Sequence, residues 1–200
     1  MKEYTITRVN GTPDWSKIPA LQVDHPNWLP AADISTQAQI CYDEKGLYVH
    51  MWAREANIRA EVNAPLGMVC DDSCMEFFFQ PDENDGRYFN IEMNPLGFTY
   101  LGICYNRYQA CRLTPANEDA LMEKKVGRTA DGWEVFYTIP LSFIQIFFPG
   151  YELTSGRKIF ANCYKCGEQT VQSHFHSWNP CVSPTPEFHL ISNFGLMVLE

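Results

Sequence analysis

Two hundred residues bound the chain to one core, and 46% hydrophobic content with thirteen Phe, ten Tyr and five Trp excludes a disordered polypeptide. Fifteen Lys and Arg against twenty-four Asp and Glu leave a formal net charge of −9, and the longest basic cluster is Lys124-Lys125, so the electrostatic footprint of nucleic-acid binding is missing. No apolar run approaches the roughly eighteen residues of a membrane span and Met1 to Arg8 has no signal-like apolar core, so neither membrane nor nucleic acid is expected as a partner. The chain as given is expected to be cytoplasmic, or secreted if a signal has been lost from a longer chain.

Strand signals dominate. Residues 36–42 alternate in polarity, Asp43-Glu44-Lys45-Gly46 turns the chain, and residues 47–53 return it as a hairpin. Residues 75–80 read as a strand and Pro81-Asp82-Glu83-Asn84-Asp85-Gly86 as a loop. Residues 87–94 form the next strand, closed by Pro95-Leu96-Gly97 and continued at 98–105. Residues 133–139 alternate up to Pro140, and further strands are expected at 158–166 and 195–199. Helical signal is confined to residues 117–125 and 141–147. Many short strands separated by turn chemistry predict an all-β fold, an antiparallel β-sandwich of jelly-roll or immunoglobulin-like type with one or two short helices, in a single domain spanning 1–200.

The eight cysteines are an even number, yet several lie in apolar runs such as Gln39-Ile40-Cys41-Tyr42, where a free thiol behaves as a small buried hydrophobe. They are expected to be reduced. Cys163-Tyr164-Lys165-Cys166 followed by His174 and His176 has the look of a zinc site, but no second pair completes it and strand residues three apart face opposite ways.

The strand Tyr88-Phe89-Asn90-Ile91-Glu92-Met93-Asn94 carries the chemistry, because period-two geometry sends Phe89, Ile91 and Met93 to one face and Asn90, Glu92 and Asn94 to the other. Its hairpin partner puts Met75, Phe77 and Phe79 on one side and Glu76 on the opposite one. A carboxylate among aromatic and sulfur-bearing neighbours needs a specific partner. The tail then places Trp178, Phe188 and His189 beside amide and carboxylate groups. Flat rings beside such groups suit a pyranose, whose C–H face rests on an aromatic ring while its hydroxyls need polar partners.

In order, Asp43-Glu44-Lys45-Gly46-Leu47-Tyr48-Val49, Asp72-Ser73-Cys74-Met75-Glu76-Phe77-Phe78, Tyr88-Phe89-Asn90-Ile91-Glu92, Gly132-Trp133-Glu134-Val135 with Ile139-Pro140, Ser177-Trp178-Asn179-Pro180 and Phe194-Gly195 resemble the family 9 carbohydrate-binding modules and their DOMON-like relatives. The resemblance spans nearly the whole chain from about Asp14. It implies a non-catalytic β-sandwich that binds a mono- or oligosaccharide of plant-glycan type and serves as an accessory to glycoside hydrolases in polysaccharide catabolism. It carries the sugar-contacting carboxylate to Glu76, the polar contacts of the next strand to Asn90 and Glu92, and a late-strand amide to Tyr164. Of the two tryptophans that clamp the sugar in the best-known members, one falls on Phe188 and the other on Val69 or Cys70, leaving Trp178 as the candidate substitute. Asn94, Asn162 and His189 are second-tier contacts. No organic cofactor is implied; structural calcium is, for which Asp82, Glu83 and Asp85 are the available acids.

Two other readings compete. Glu76 and Glu92 on adjacent strands resemble a glycosidase pair, which needs carboxyls about 5–5.5 Å or 6.5–9.5 Å apart. The same fold can also serve a partner other than a sugar. Serine catalysis lacks its G-x-S-x-G elbow.

Overall fold

The computed structural model describes residues 1–200. Fourteen strands run in chain order: β1 (Glu3–Arg8), β2 (Leu21–Gln22), β3 (His25–Pro26), β4 (Ser35–Tyr42), β5 (Gly46–Arg54), β6 (Cys74–Gln80), β7 (Tyr88–Met93), β8 (Thr99–Asn106), β9 (Gln109–Arg112), β10 (Lys125–Arg128), β11 (Gly132–Pro140), β12 (Lys158–Gly167), β13 (His174–Ser177) and β14 (Gly195–Leu199). Two short helices, α1 (Glu118–Met122) and α2 (Leu141–Phe147), flank β11. One layer has the order β10-β11-β5-β4-β1 and the other β1-β14-β12-β6-β7-β8-β9, so β1 belongs to both.

The expected sandwich is present, with one correction: it is not wholly antiparallel. β1 pairs parallel with β14 through Glu3–Ile6 and parallel with β4 through Thr7 and Arg8. This strand went unread because little beyond Ile6 is buried along it, and its place is set by partners far along the chain. The second correction concerns the helix expected at 117–125. The Asn117 side chain caps it by accepting from the Ala120 amide, and Glu123 ends it in the left-handed region at φ 47°, leaving Lys125 free to begin β10.

Alternation divides β6 and β7 as their sequences dictate. Phe77, Phe79, Phe89 and Ile91 point between the layers and join Leu47, Val49, Met51, Trp133 and Val135 in the main core. Phe78, Tyr88, Tyr164 and Cys166 point the other way into a second cluster with Val69, Phe188 and Phe194. The loops before β6 and before β14 therefore roof the outer face, and every residue of β6 and β7 is buried. A polar group on that outer face is held under a roof and away from bulk water. All eight cysteines are free, and Cys163 lies in the main core while Cys166 lies in the outer cluster, as strand geometry requires.

Candidate functional site

A recess of about 360 Å³ opens through the roof of β6 and β7. Its floor follows from register: Glu76 stands directly opposite Glu92, and Phe78 opposite Asn90, so the two carboxylates and the amide project from neighbouring positions on one face. Asn90 Nδ2 donates to Glu92 Oε1 at 2.8 Å, and the Cys166 thiol donates to Glu76 Oε1 at 2.9 Å. Asn90 Oδ1 has no partner although the residue is fully buried. Burial, reinforced by the charge of Glu92, pushes the Glu76 carboxyl well above the usual carboxylate range. Burial likewise pushes Glu92 up to about 7, opposed by the Asn90 hydrogen bond. Neither acid is in a salt bridge; the cations that lower Glu92, Arg112 and Arg107, act on it without direct pairing.

The walls are aromatic. Phe188 stacks on Tyr164 with ring centres 4.0 Å apart and planes 15° apart, and Tyr164 Oη donates to the Phe188 carbonyl at 3.1 Å. Tyr164 thus fixes Phe188 in place from beneath. Next to it, His189 Nδ1 lies 2.7 Å from Tyr88 Oη, and burial lowers the imidazole to about 4, which keeps the ring neutral. Trp28 closes the opposite side, its ring 5.5 Å from Phe188 and 5.7 Å from Phe175. Its backbone sits at φ 59°, a conformation costing a non-glycine residue on the order of 1–3 kcal/mol. The Asn27 amide offsets that cost by tying the loop to Phe175 and Ser177, and Trp28 Nε1 donates to the Ser183 carbonyl at 2.9 Å. Around the mouth stand Asp71, Glu168, Glu187 and Arg107, the last two 3.5 Å apart.

Of the residues singled out from sequence, Glu76, Asn90, Glu92, Phe188 and His189 line the recess. Four others do not. Trp178 is a core residue, 4% exposed, set edge-on to Tyr4 and seated over Gly195, where any Cβ would come within 2.5 Å of its ring. Tyr164 supports the wall without lining it. Asn94 ties Val62 and Asp72 to the turn at Leu96–Phe98, and Asn162 holds Asn179 and Asn193. Their amides are fully committed to backbone and neighbouring side chains. Trp28 and Phe175 were missed; the signals were a tryptophan beside a proline-bounded loop and the outward-facing position between the inward-facing His174 and His176. Val69 and Cys70, where the resemblance expected a ring, do line the recess, and Trp28 supplies the missing aromatic surface from elsewhere in the chain.

The acids of the loop after β6 do not fit a calcium ion. Asp85 is engaged by the Arg87 guanidinium and Asp82 Oδ1 accepts from the Asn84 amide, so their oxygens serve the turn and do not converge. The group whose potential ligand atoms do lie within 4.8 Å of one another is Cys74, Glu76 and Cys166 under the recess floor. Burial holds the Cys74 thiol up at about 12, and its neighbour Cys74 together with burial raises Cys166, so both stay protonated and Cys166 remains a donor to Glu76. A broader depression of about 820 Å³ on the outer face of the other layer lacks this character, since its Lys124 is already paired with Asp119 at 2.9 Å.

A β-sandwich with a roofed recess, acid and amide at its floor and aromatic rings at its walls defines a small-ligand-binding module. The profile of carbohydrate-binding family 9 matches residues 9–199, and the chain belongs to that family. Among solved structures it is similar to a candidate carbohydrate-binding protein from Bacteroides uniformis ATCC 8492, with 25% identity and a TM-score of 0.87 over 100% of this chain and 99% of that one. It also shares its fold with a family 9 carbohydrate-binding module from Caldicellulosiruptor kristjanssonii. The glucose complex of that module gives 11% identity and TM-score 0.72 over 100% and 96% of the two chains, and the cellotriose complex gives 12% and 0.71 over 100% and 94%. No curated protein gave a significant match.

Proposed function

We propose that the recess is the carbohydrate site of a non-catalytic binding module. One sugar residue enters, lays its apolar face on Phe188 and Trp28, and hydrogen-bonds through its hydroxyls to Glu76, Asn90 and Glu92, with His189 and Tyr100 at the sides. The observation that carries this reading is Asn90 Oδ1: a buried acceptor without a partner is costly in a finished core and useful in a site awaiting a donor. The bound glucose and cellotriose of the Caldicellulosiruptor module make a glucan or similar chain the first ligand class to try. Binding without turnover fits the geometry better than hydrolysis. Glu76 and Glu92 stand side by side on one floor, whereas a glycosidase flanks the scissile bond with its two carboxyls.

A glycan array read alongside thermal shift tests the proposal. A ligand at a hundred times its dissociation constant is expected to stabilise the protein by about 2.7 kcal/mol. Phe188→Ala should weaken binding by about 1–3 kcal/mol, by analogy with aromatic stacking on bases, and Glu76→Ala should abolish detectable binding. Binding that survives both substitutions would place the sugar elsewhere. Release of product from an aryl glycoside, lost in Glu76→Gln, would replace the binding reading with catalysis.

A further inference from the structure

We infer that the preferred ligand is an amino sugar, a saccharide carrying a free ammonium group that seats between Glu76, Glu92 and Asn90. This rests on the carbohydrate reading of the recess and names the ligand class within it. The argument starts from the balance of donors and acceptors. A hydroxyl donates one hydrogen bond and accepts two, so a floor built for neutral sugars mixes both kinds of group. Here the floor's donors are engaged within the floor, one N–H of the Asn90 amide by Glu92 and the Cys166 thiol by Glu76. What remains, once the two acids give up the protons that burial leaves on them, is mainly acceptor: the second oxygens of Glu76 and Glu92, and the buried, unpartnered Asn90 Oδ1. An ammonium is three donors and no acceptor, and it complements that set.

Charge points the same way. Five carboxylates, those of Asp71, Glu76, Glu92, Glu168 and Glu187, line the recess against the single guanidinium of Arg107, and that guanidinium already pairs with Glu187. Two acids held opposite one another in a paired register repel, and both are raised by burial. A cation between them relieves the repulsion and expels the proton they retain. The walls add to this, since Trp28, Phe175 and Phe188 line the same recess and an aromatic face favours a cation that enters beside it. A neutral hydroxyl answers the acceptor excess with a single donor and gains nothing from the other two effects.

The test is isothermal titration of the full chain at pH 7 with glucose, 2-amino-2-deoxyglucose, 6-amino-6-deoxyglucose, N-acetylglucosamine and methylammonium. At least one amine-bearing sugar should bind tenfold or more tighter than glucose and than the acetylated form. Glu92→Gln, which keeps the side-chain shape, should reduce that ratio to near one. A merely structural role for Glu92 would lower all affinities together and leave the ratio intact, which would overturn the inference. So would a ratio below tenfold in the native chain, or methylammonium binding as tightly as the amino sugar. Failure of every monosaccharide while array glycans still bind overturns the amino-sugar assignment alone. Failure of the array as well removes the carbohydrate reading itself.

Discussion

Two buried charged clusters lie on either side of β12, and they are built to opposite plans. Lys165, fully buried, points to one side and gives its ammonium to Glu55 Oε2 at 3.3 Å, the Cys166 carbonyl at 2.9 Å and His174 Nε2 at 2.8 Å. Glu55 in turn accepts from Ser73 Oγ at 2.7 Å and Trp133 Nε1 at 3.0 Å. The Lys165 ammonium and both Glu55 carboxylate oxygens are matched within the protein. On the other side Glu76, Asn90 and Glu92 have an excess of acceptors, one of them orphaned, and an opening above them. Burial alone does not mark a functional group, nor does an orphaned atom, since Tyr151 Oη and Asn193 Nδ2 are orphaned elsewhere; a buried polar set left incomplete beneath an opening does.

The largest expected effect comes from breaking the complete cluster. Lys165→Met strands Glu55 in the interior, and removal of one partner from a buried ion pair costs about 3–5 kcal/mol. Urea denaturation should show that loss while leaving ligand affinity unchanged. Glu76→Gln should do the reverse: stability is kept or raised because a carboxyl whose ionisation burial disfavours is replaced by a neutral amide, and binding is lost. A Lys165→Met loss below about 1 kcal/mol, within the range typical of exposed pairs, would mean that the two clusters do not differ as described.

The next effect is pH dependence of the unliganded protein. Glu92 titrates near 7 when folded against an ordinary 4.5, so the folded state holds a proton that the unfolded chain has released over that interval. Its stabilising contribution is therefore fully present below about pH 4.5 and lost as pH rises through 7, on the order of 3 kcal/mol for Glu92. Glu76 acts in the same sense, since its carboxyl is also raised. The groups that act on the pair from its own side are Glu168, Cys166, Arg107 and Arg112, with Lys165 acting on Glu76 through the sheet from the far side of β12, and the net balance among them still leaves both acids raised. The buried His174 and His189, lowered to about 3 and about 4, act in the opposite sense over part of this range, so the Glu92 contribution is read as the difference in stability between the native chain and Glu92→Gln, which should shift in favour of the variant from pH 4.5 to 7.5. A difference independent of pH would contradict a raised Glu92.

The contrast also explains what the sequence could and could not convey. Alternation along Tyr88–Met93 and Cys74–Gln80 was legible because period-two patterning is local, and it placed Glu76, Asn90 and Glu92 on one face correctly. The structure then covers that face with loops, which no local pattern announces. Asn94 and Asn162 share the polar look of Asn90, yet their amides are consumed by turns whose partners lie up to 32 residues away. Trp178 and Trp28 are equally bulky in the sequence; Gly195 makes room for the first in the core, while a left-handed backbone turns the second toward the recess. Partnering is a long-range property. That is why the residue types of the site could be read while its completeness could not.

The smallest expected effect tests where the incomplete cluster ends. Arg107 and Glu187 meet at the mouth 3.5 Å apart, with side chains 48% and 19% exposed, and such pairs contribute about 0–1 kcal/mol. Arg107→Ala should leave the denaturation midpoint within error and change affinity for a neutral sugar by no more than about threefold, since a screened rim charge acts mainly on encounter rate. It should raise affinity for an amine-bearing ligand, because the only opposing charge in the lining is removed. A tenfold loss for the neutral sugar would instead make the guanidinium a direct hydroxyl contact. The recognition set would then extend from the floor to the rim, and the acceptor excess at Glu76, Asn90 and Glu92 would be balanced by a donor that enters from above.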